Sequence, residues 1–187
     1  MSDKKRYPAA VAMAVAGAIK VLLAPFCDRI EIAGSLRRQK KMVGDIEILF
    51  IGKQDTRRVD LLTVESYDTA GARINELMHI GILTKRPNKN GVFAWGEKNK
   101  LGIHVETGIP IDFFATCEPC WYNALVCRTG GIENNLLITT TAQHRGWSFE
   151  AYGSGFKNLR GERHDTTSEE DVYKFIGLRY LEPKYRK

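Results

Sequence analysis

Apolar residues run almost unbroken from Ala9 to Leu23, with Lys20 as the one charged interruption. Val11, Val15, Ala18 and Leu22 fall on one side at helical spacing, which predicts a helix over residues 8–24 packed against a sheet. Strands are predicted at 29–33 and 45–51, separated by a Gly-Ser turn and a basic stretch over 36–43. The second strand alternates, with Ile46, Ile48 and Phe50 on one face and Asp45 and Glu47 on the other. A surface segment then leads to a helix over 69–79, with Asp68 as its N-cap. Residues 82–116 read as strands joined by turns, the last over 109–115. Beyond Cys120 the pattern gives a short strand over 124–127, a helix to His144 closed by Gly146, short extended pieces over 147–152 and a polar loop over 157–167. Ser168-Glu169-Glu170-Asp171 opens a final helix as a capping box, which Gly177 ends. The class is α+β in two lobes, 1–117 and 118–187.

Composition narrows this only a little. The 187 residues are 43% hydrophobic and 27% charged, which excludes a disordered chain. Net charge is +6, and it is concentrated: residues 1–117 hold 18 basic and 13 acidic residues, residues 118–187 hold 10 and 9. A polyanionic partner for the first lobe is the natural reading. Lys4-Lys5-Arg6 ahead of the apolar run imitates a signal peptide, but Lys20 breaks the run and no clean cleavage site follows. The run is also short for a bilayer span, so an intracellular protein without a membrane anchor is expected. Cys117-Glu-Pro-Cys120 lacks a second close Cys/His pair, and reduced structural thiols are expected there.

The chemistry-bearing stretch is Gly34-Ser-Leu-Arg-Arg followed by Gly44-Asp-Ile-Glu. Two carboxylates side by side repel unless a cation lies between them, and oxygen-only donors favour Mg²⁺ or Mn²⁺. Asp112 is a lone acid within the apolar run Ile109–Phe114, where a charge is costly unless paired or coordinated. Three acids on neighbouring strands suit phosphoryl transfer with two metal ions. Gly34 and Ser35 offer a close backbone approach and donors to a phosphate, and Arg37 and Arg38 add planar charged donors.

These motifs together resemble the polymerase X family of nucleotidyltransferases, the group that contains DNA polymerase beta. The Gly-Ser and the acid pair are shared by the wider superfamily; the double Arg and Gly44 are narrower marks. The resemblance implies a nucleotidyltransferase palm, a mixed sheet with helices on one face, followed by a small α/β lobe that holds nucleotide and primer. It implies that Asp45, Glu47 and Asp112 bind two Mg²⁺, with Mn²⁺ as a substitute, and that Asp112 accepts the primer 3′-hydroxyl proton. Arg6, Gly34, Ser35, Arg38 and Gly44 would hold the triphosphate; Thr129, Gly130 and Asn135 would face the sugar and base. The implied partners are a DNA primer-template and a deoxynucleoside triphosphate, acting on a monomer. The implied activity is gap-filling DNA synthesis in repair.

Two departures bear on this. Glu47 stands where close relatives have Asp, and Cys127-Arg128 replaces the aromatic pair that usually precedes Thr-Gly. Arg128 is compatible with favouring ribonucleotides, with holding the primer, or with neither. No counterpart of the family's N-terminal lyase domain precedes residue 6. The chain thus resembles the minimal two-lobe members of some large DNA viruses, and no 5′-deoxyribose-phosphate lyase activity is expected. Lys40, Lys41, Lys85, Arg86, Lys89, Lys98 and Lys100 are expected around the acid-bearing strands as phosphate contacts. Phe93, Trp95 and Trp121 are expected to pack rather than to stack on bases. Two rival readings are a nucleotidyltransferase with a non-DNA acceptor and a catalytically weakened DNA-binding protein.

Overall fold

Strand β1 (Tyr7–Pro8) leads straight into helix α1 (Ala9–Leu23), which buries Ala12, Val15, Ala16, Ile19 and Leu23. These recur at helical spacing, so one stripe of the apolar run is core. A computed structural model describes residues 5–60 and 62–187. They form two units, residues 5–32 with Lys41–Ala115, and Ala33–Lys40 with Thr116–Lys187. The segment carrying Gly34, Ser35 and Arg38 therefore clusters with the second unit.

After β2 (Cys27–Ile32) the chain forms a short helix, α2 (Gly34–Arg37), which belongs to the second unit. It returns at β3 (Met42–Val43), which pairs with β1, and continues into β4 (Ile46–Gly52). A hairpin of β5 (Gln54–Arg58) and β6 (Val64–Asp68) then precedes α3 (Thr69–His79). Strands β7 (Leu83–Lys85), β8 (Asn99–His104) and β9 (Pro110–Ala115) complete the unit. The main sheet has the order β2-β4-β9-β8-β7, with β4 and β9 parallel and the other neighbours antiparallel. Ile46, Ile48 and Phe50 pair in register with Ile111, Phe113 and Ala115, and all but Ala115 are buried. Each fully buried side chain of this size contributes about 1.5–3 kcal/mol. Helices α1 and α3 touch each other and both touch β4, which puts them on one face of the sheet.

The second unit contains α4 (Trp121–Thr129), α5 (Ile132–His144), the antiparallel sheet β10 (Trp147–Phe149), β11 (Gly155–Asn158), β12 (Arg163–Asp165), and α6 (Glu169–Phe175). Its core gathers Val126, Ile138, Ala142, Phe156, Val172, Tyr173 and Ile176. Both units mix helices with antiparallel or mixed sheet, so the class is α+β.

The helix over 69–79 appears as expected, and Asp68 caps it by accepting from Ala70 N at 3.0 Å. Ser168 likewise accepts from Asp171 N at 3.0 Å and starts α6. Five expectations are corrected. Residues 124–127 are helical, because Trp121, Ala124, Leu125 and Thr129 are buried at helical spacing, and a short apolar run does not reveal its own period. The surface segment after β4 and the polar loop over 157–167 are both hairpins. The basic stretch opens with the helical turn α2. Finally, α1 with the 3₁₀ turn after it, Ala9–Phe26, is long and apolar enough to cross a membrane by length and composition, with mean hydropathy 2.0. Its buried stripe nevertheless packs on β2 and β4.

Candidate active site

Glu47 and Asp112 are register partners on the parallel pair β4–β9. Residues in register across adjacent strands project to the same face, so the two carboxylates share one side of the sheet. The same alternation carries Ile46 and Ile48 to the opposite, buried side. Asp45 precedes β4 by one residue and is half-buried, as is Glu47, whereas Asp112 is only 8% exposed. Arg6 and Gly44 leave the β1–β3 ribbon at the same end, because Tyr7 pairs with Val43 in an antiparallel register. The ribbon thus brings Arg6 to the approach of Asp45.

Arg86, at the end of β7, donates from Nη2 to both oxygens of Asp112 at 2.6 Å. This corrects the expectation that Arg86 serves the first lobe as a phosphate contact. Its charge meets the one carboxylate that the strand buries, and such a pair repays part of the desolvation. Lys100 is corrected too: it is buried on β8 and donates to the Gly96 carbonyl at 2.7 Å. Burial holds its ammonium pKa below the ordinary lysine value, against the pull of Asp68 and Glu97.

The oxygen donors of Asp45, Glu47 and Asp112 suit Mg²⁺ or Mn²⁺ in kind. Among the described residues, no three His, Cys, Asp or Glu side chains gather closely enough to hold an ion. In the conformation described, the donor set is the Glu47–Asp112 pair with Asp45 alongside in sequence. A cleft of about 420 Å³ in the same unit is lined by Phe26, Lys53, Asp55, Tyr67, Arg73 and Glu76 among others, and by none of Asp45, Glu47 and Asp112.

In the second unit, Gly34 adopts φ 62, a conformation in which a side chain would be strained, and Ser35 follows it at the start of α2. Arg38 Nη1 donates to the carbonyl of Thr129. Arg37 Nη1 donates to Thr129 Oγ1 at 2.7 Å, and its two Nη atoms meet both oxygens of Glu169. Thr129 is fully buried, so its hydroxyl and carbonyl hold the two arginines. Asn135 Nδ2 donates to the Cys127 carbonyl at 2.9 Å and lies against Gly130, where an added Cβ would come within 2.6 Å of it. The Arg128 guanidinium stands 5.2 Å from the Tyr152 ring centre.

Sequence reasoning missed two residues that organise this unit. Glu169 was legible only as an acid in a helix first turn, yet it also accepts from Arg186 Nη1 at 2.9 Å, and Arg186 is fully buried. Although burial pushes the Glu169 carboxyl up, the hydrogen bonds and charges of Arg37 and Arg186 hold it below the usual glutamate value. Near the unit boundary, burial and a hydrogen bond with Cys117 push the Cys120 thiol up to about 12. Cys117 and Cys120 are both free thiols.

No curated protein matches the chain. The family model of the DNA polymerase beta thumb matches residues 124–187, from within α4 through the buried Arg186, and this supports a relationship of the chain to the polymerase beta, or X, family.

Proposed function

We propose that the protein is a metal-dependent DNA polymerase of the X family that adds deoxynucleotides to a primer 3′ end and fills short gaps. The observation that carries this reading is the register pairing of Glu47 with Asp112, with Asp45 two residues before Glu47. The thumb-family match over 124–187 supplies the context for a nucleotide- and DNA-binding partner unit. Asp45, Glu47 and Asp112 would hold two Mg²⁺, or Mn²⁺ in their place, only on closing up from the positions described above. When bound, such ions would lower the pKa of the attacking hydroxyl and supply charge for the leaving pyrophosphate. Asp112 accepts the proton of the primer 3′-hydroxyl, while Arg86 fixes the plane of its carboxylate.

Arg6, Gly34, Ser35, Arg38 and Gly44 are assigned to the triphosphate, and Thr129, Gly130 and Asn135 to sugar and base. For Thr129 the hydroxyl is engaged by Arg37 and the carbonyl by Arg38, so its part is to hold the turn at Gly130 in place. The protein would act as a monomer inside the cell. Extension of a primer across a one-nucleotide gap with Mg²⁺ or Mn²⁺ tests the proposal. Extension without a template strand would move the assignment to a terminal transferase. Transfer to a non-DNA acceptor alone would replace it.

A further inference from the structure

The connection between β7 and β8 is built to present its apolar tip to solvent. Asn88 N donates to the Val92 carbonyl at 2.8 Å, and Asn88 Oδ1 accepts from Asn90 N at 2.9 Å and Val92 N at 3.1 Å. Gly91 takes φ 78 to close this turn. Pro87 bridges to Phe93 and Trp95 to Lys100, so the tip is paired back onto its own stem. Trp95 Nε1 donates to Asn75 Oδ1 on α3 at 2.8 Å, and Lys85 Nζ sits 5.3 Å from the Trp95 ring centre. Trp95 therefore anchors the loop, as packing was expected to do. Phe93 does not pack: it is 59% exposed beside Val92 at 60%.

A rigid turn that holds an aromatic ring in water forgoes its burial energy unless something covers it. The surroundings identify the occupant by charge. Lys85, Lys89 and Lys98 are exposed on the same connection, with Glu97 as the one acid between residues 85 and 98. The residue paired with Phe93 is Pro87, next to Arg86, which holds Asp112. We propose that this loop binds a single nucleic-acid strand, with Phe93 stacking on an unpaired base and Lys89 and Lys98 taking the flanking phosphates. Exposed lysines and an exposed ring on one loop are the combination that holds single strands without sequence preference. The nature of the occupant rests on the polymerase reading of the carboxylates; the docking surface does not.

The test is fluorescence anisotropy of a short fluorescein-labelled oligothymidylate with the full chain, over a series of salt concentrations. Phe93→Ala is expected to weaken binding about tenfold or more at every salt concentration, without changing the salt slope. Phe93→Trp should restore it and Phe93→Leu should not, since a base needs an aromatic face. Lys89→Ala with Lys98→Ala should flatten the salt slope. Thermal melts should match wild type for all these exposed positions. Equal binding by Phe93→Ala, rescue by Phe93→Leu, or a Phe93-dependent self-association without oligonucleotide binding would overturn the inference. Loss of binding in Phe93→Ala alongside absent primer extension would keep the docking surface and reject the polymerase. Extension by a wild type that does not bind the oligonucleotide would do the reverse.

Discussion

Arg37 and Glu169 stand 132 residues apart in the chain and meet through two hydrogen bonds, Nη1 to Oε1 at 2.9 Å and Nη2 to Oε2 at 2.6 Å. Because Arg186 Nη1 also reaches Oε1, one carboxylate ties α2 and the last turn of the chain to α6. Removing the acid leaves two guanidinium groups facing each other in a largely dry site. Glu169→Ala is expected to destabilise the second unit by about 3–5 kcal/mol, read by urea unfolding. A change below about 0.5 kcal/mol would show that the pair is held by its neighbours rather than holding them.

The same carboxylate sets an acid limit. Its folded pKa lies below the unfolded value of about 4.3, so its contribution is complete above that value and is lost as pH falls through the lower folded one. Glu169→Gln should remove that part of the acid slope while retaining partial hydrogen bonding. An unchanged slope in unfolding curves taken through the acid range would contradict the assignment.

Two glycines should respond oppositely to alanine. Gly131 has φ 89, and a Cβ there would fall 1.9 Å from the Lys187 carbonyl carbon. Gly131→Ala should cost about 2 kcal/mol or more, from strain and displaced backbone together. Gly17 lies inside α1 with open space around it, so Gly17→Ala should stabilise by about 0.5–1 kcal/mol. Thermal unfolding of the two variants checks both signs.

The cysteines should alkylate in a fixed order. Cys117 is exposed and should react first with iodoacetamide, whereas Cys27, buried and with its thiol pushed up to about 11 by desolvation, should react well after it. Peptide mass mapping over time reads the order directly. Early labelling of Cys27 would mean that β2 opens readily.

Arg86→Gln, measured at a temperature where the variant is folded, should lower primer-extension kcat about tenfold or more, because Asp112 loses the group that orients it. A change confined to KM would assign Arg86 to substrate binding instead.

How far these features were readable from sequence depends on what each residue faces. Helix α3 carries one buried face, so its period is written in its apolar positions. Helix α1 is apolar all round, and it buries Ala12, Val15, Ala16, Ile19 and Leu23 rather than the expected side of Val11 and Ala18. The β5–β6 hairpin exposes nearly every residue, which leaves no alternation to read. In α4 the run Ala124-Leu125-Val126 is buried throughout, and its period is hidden by completeness rather than by exposure. The acids Asp45, Glu47 and Asp112 stood out because charge beside apolar strand residues is costly. Arg86 and Glu169 did not, since an ordinary turn arginine and an ordinary first-turn glutamate look the same until their partners across the chain are known.

Primer extension on a one-nucleotide gap with Mg²⁺ or Mn²⁺, comparing wild type with Asp112→Ala, tests the central assignment most directly. Incorporation by the wild type and none by Asp112→Ala, at equal folding, is the expected result. No incorporation by the wild type with either metal and any nucleotide, or equal incorporation by both proteins, would contradict it.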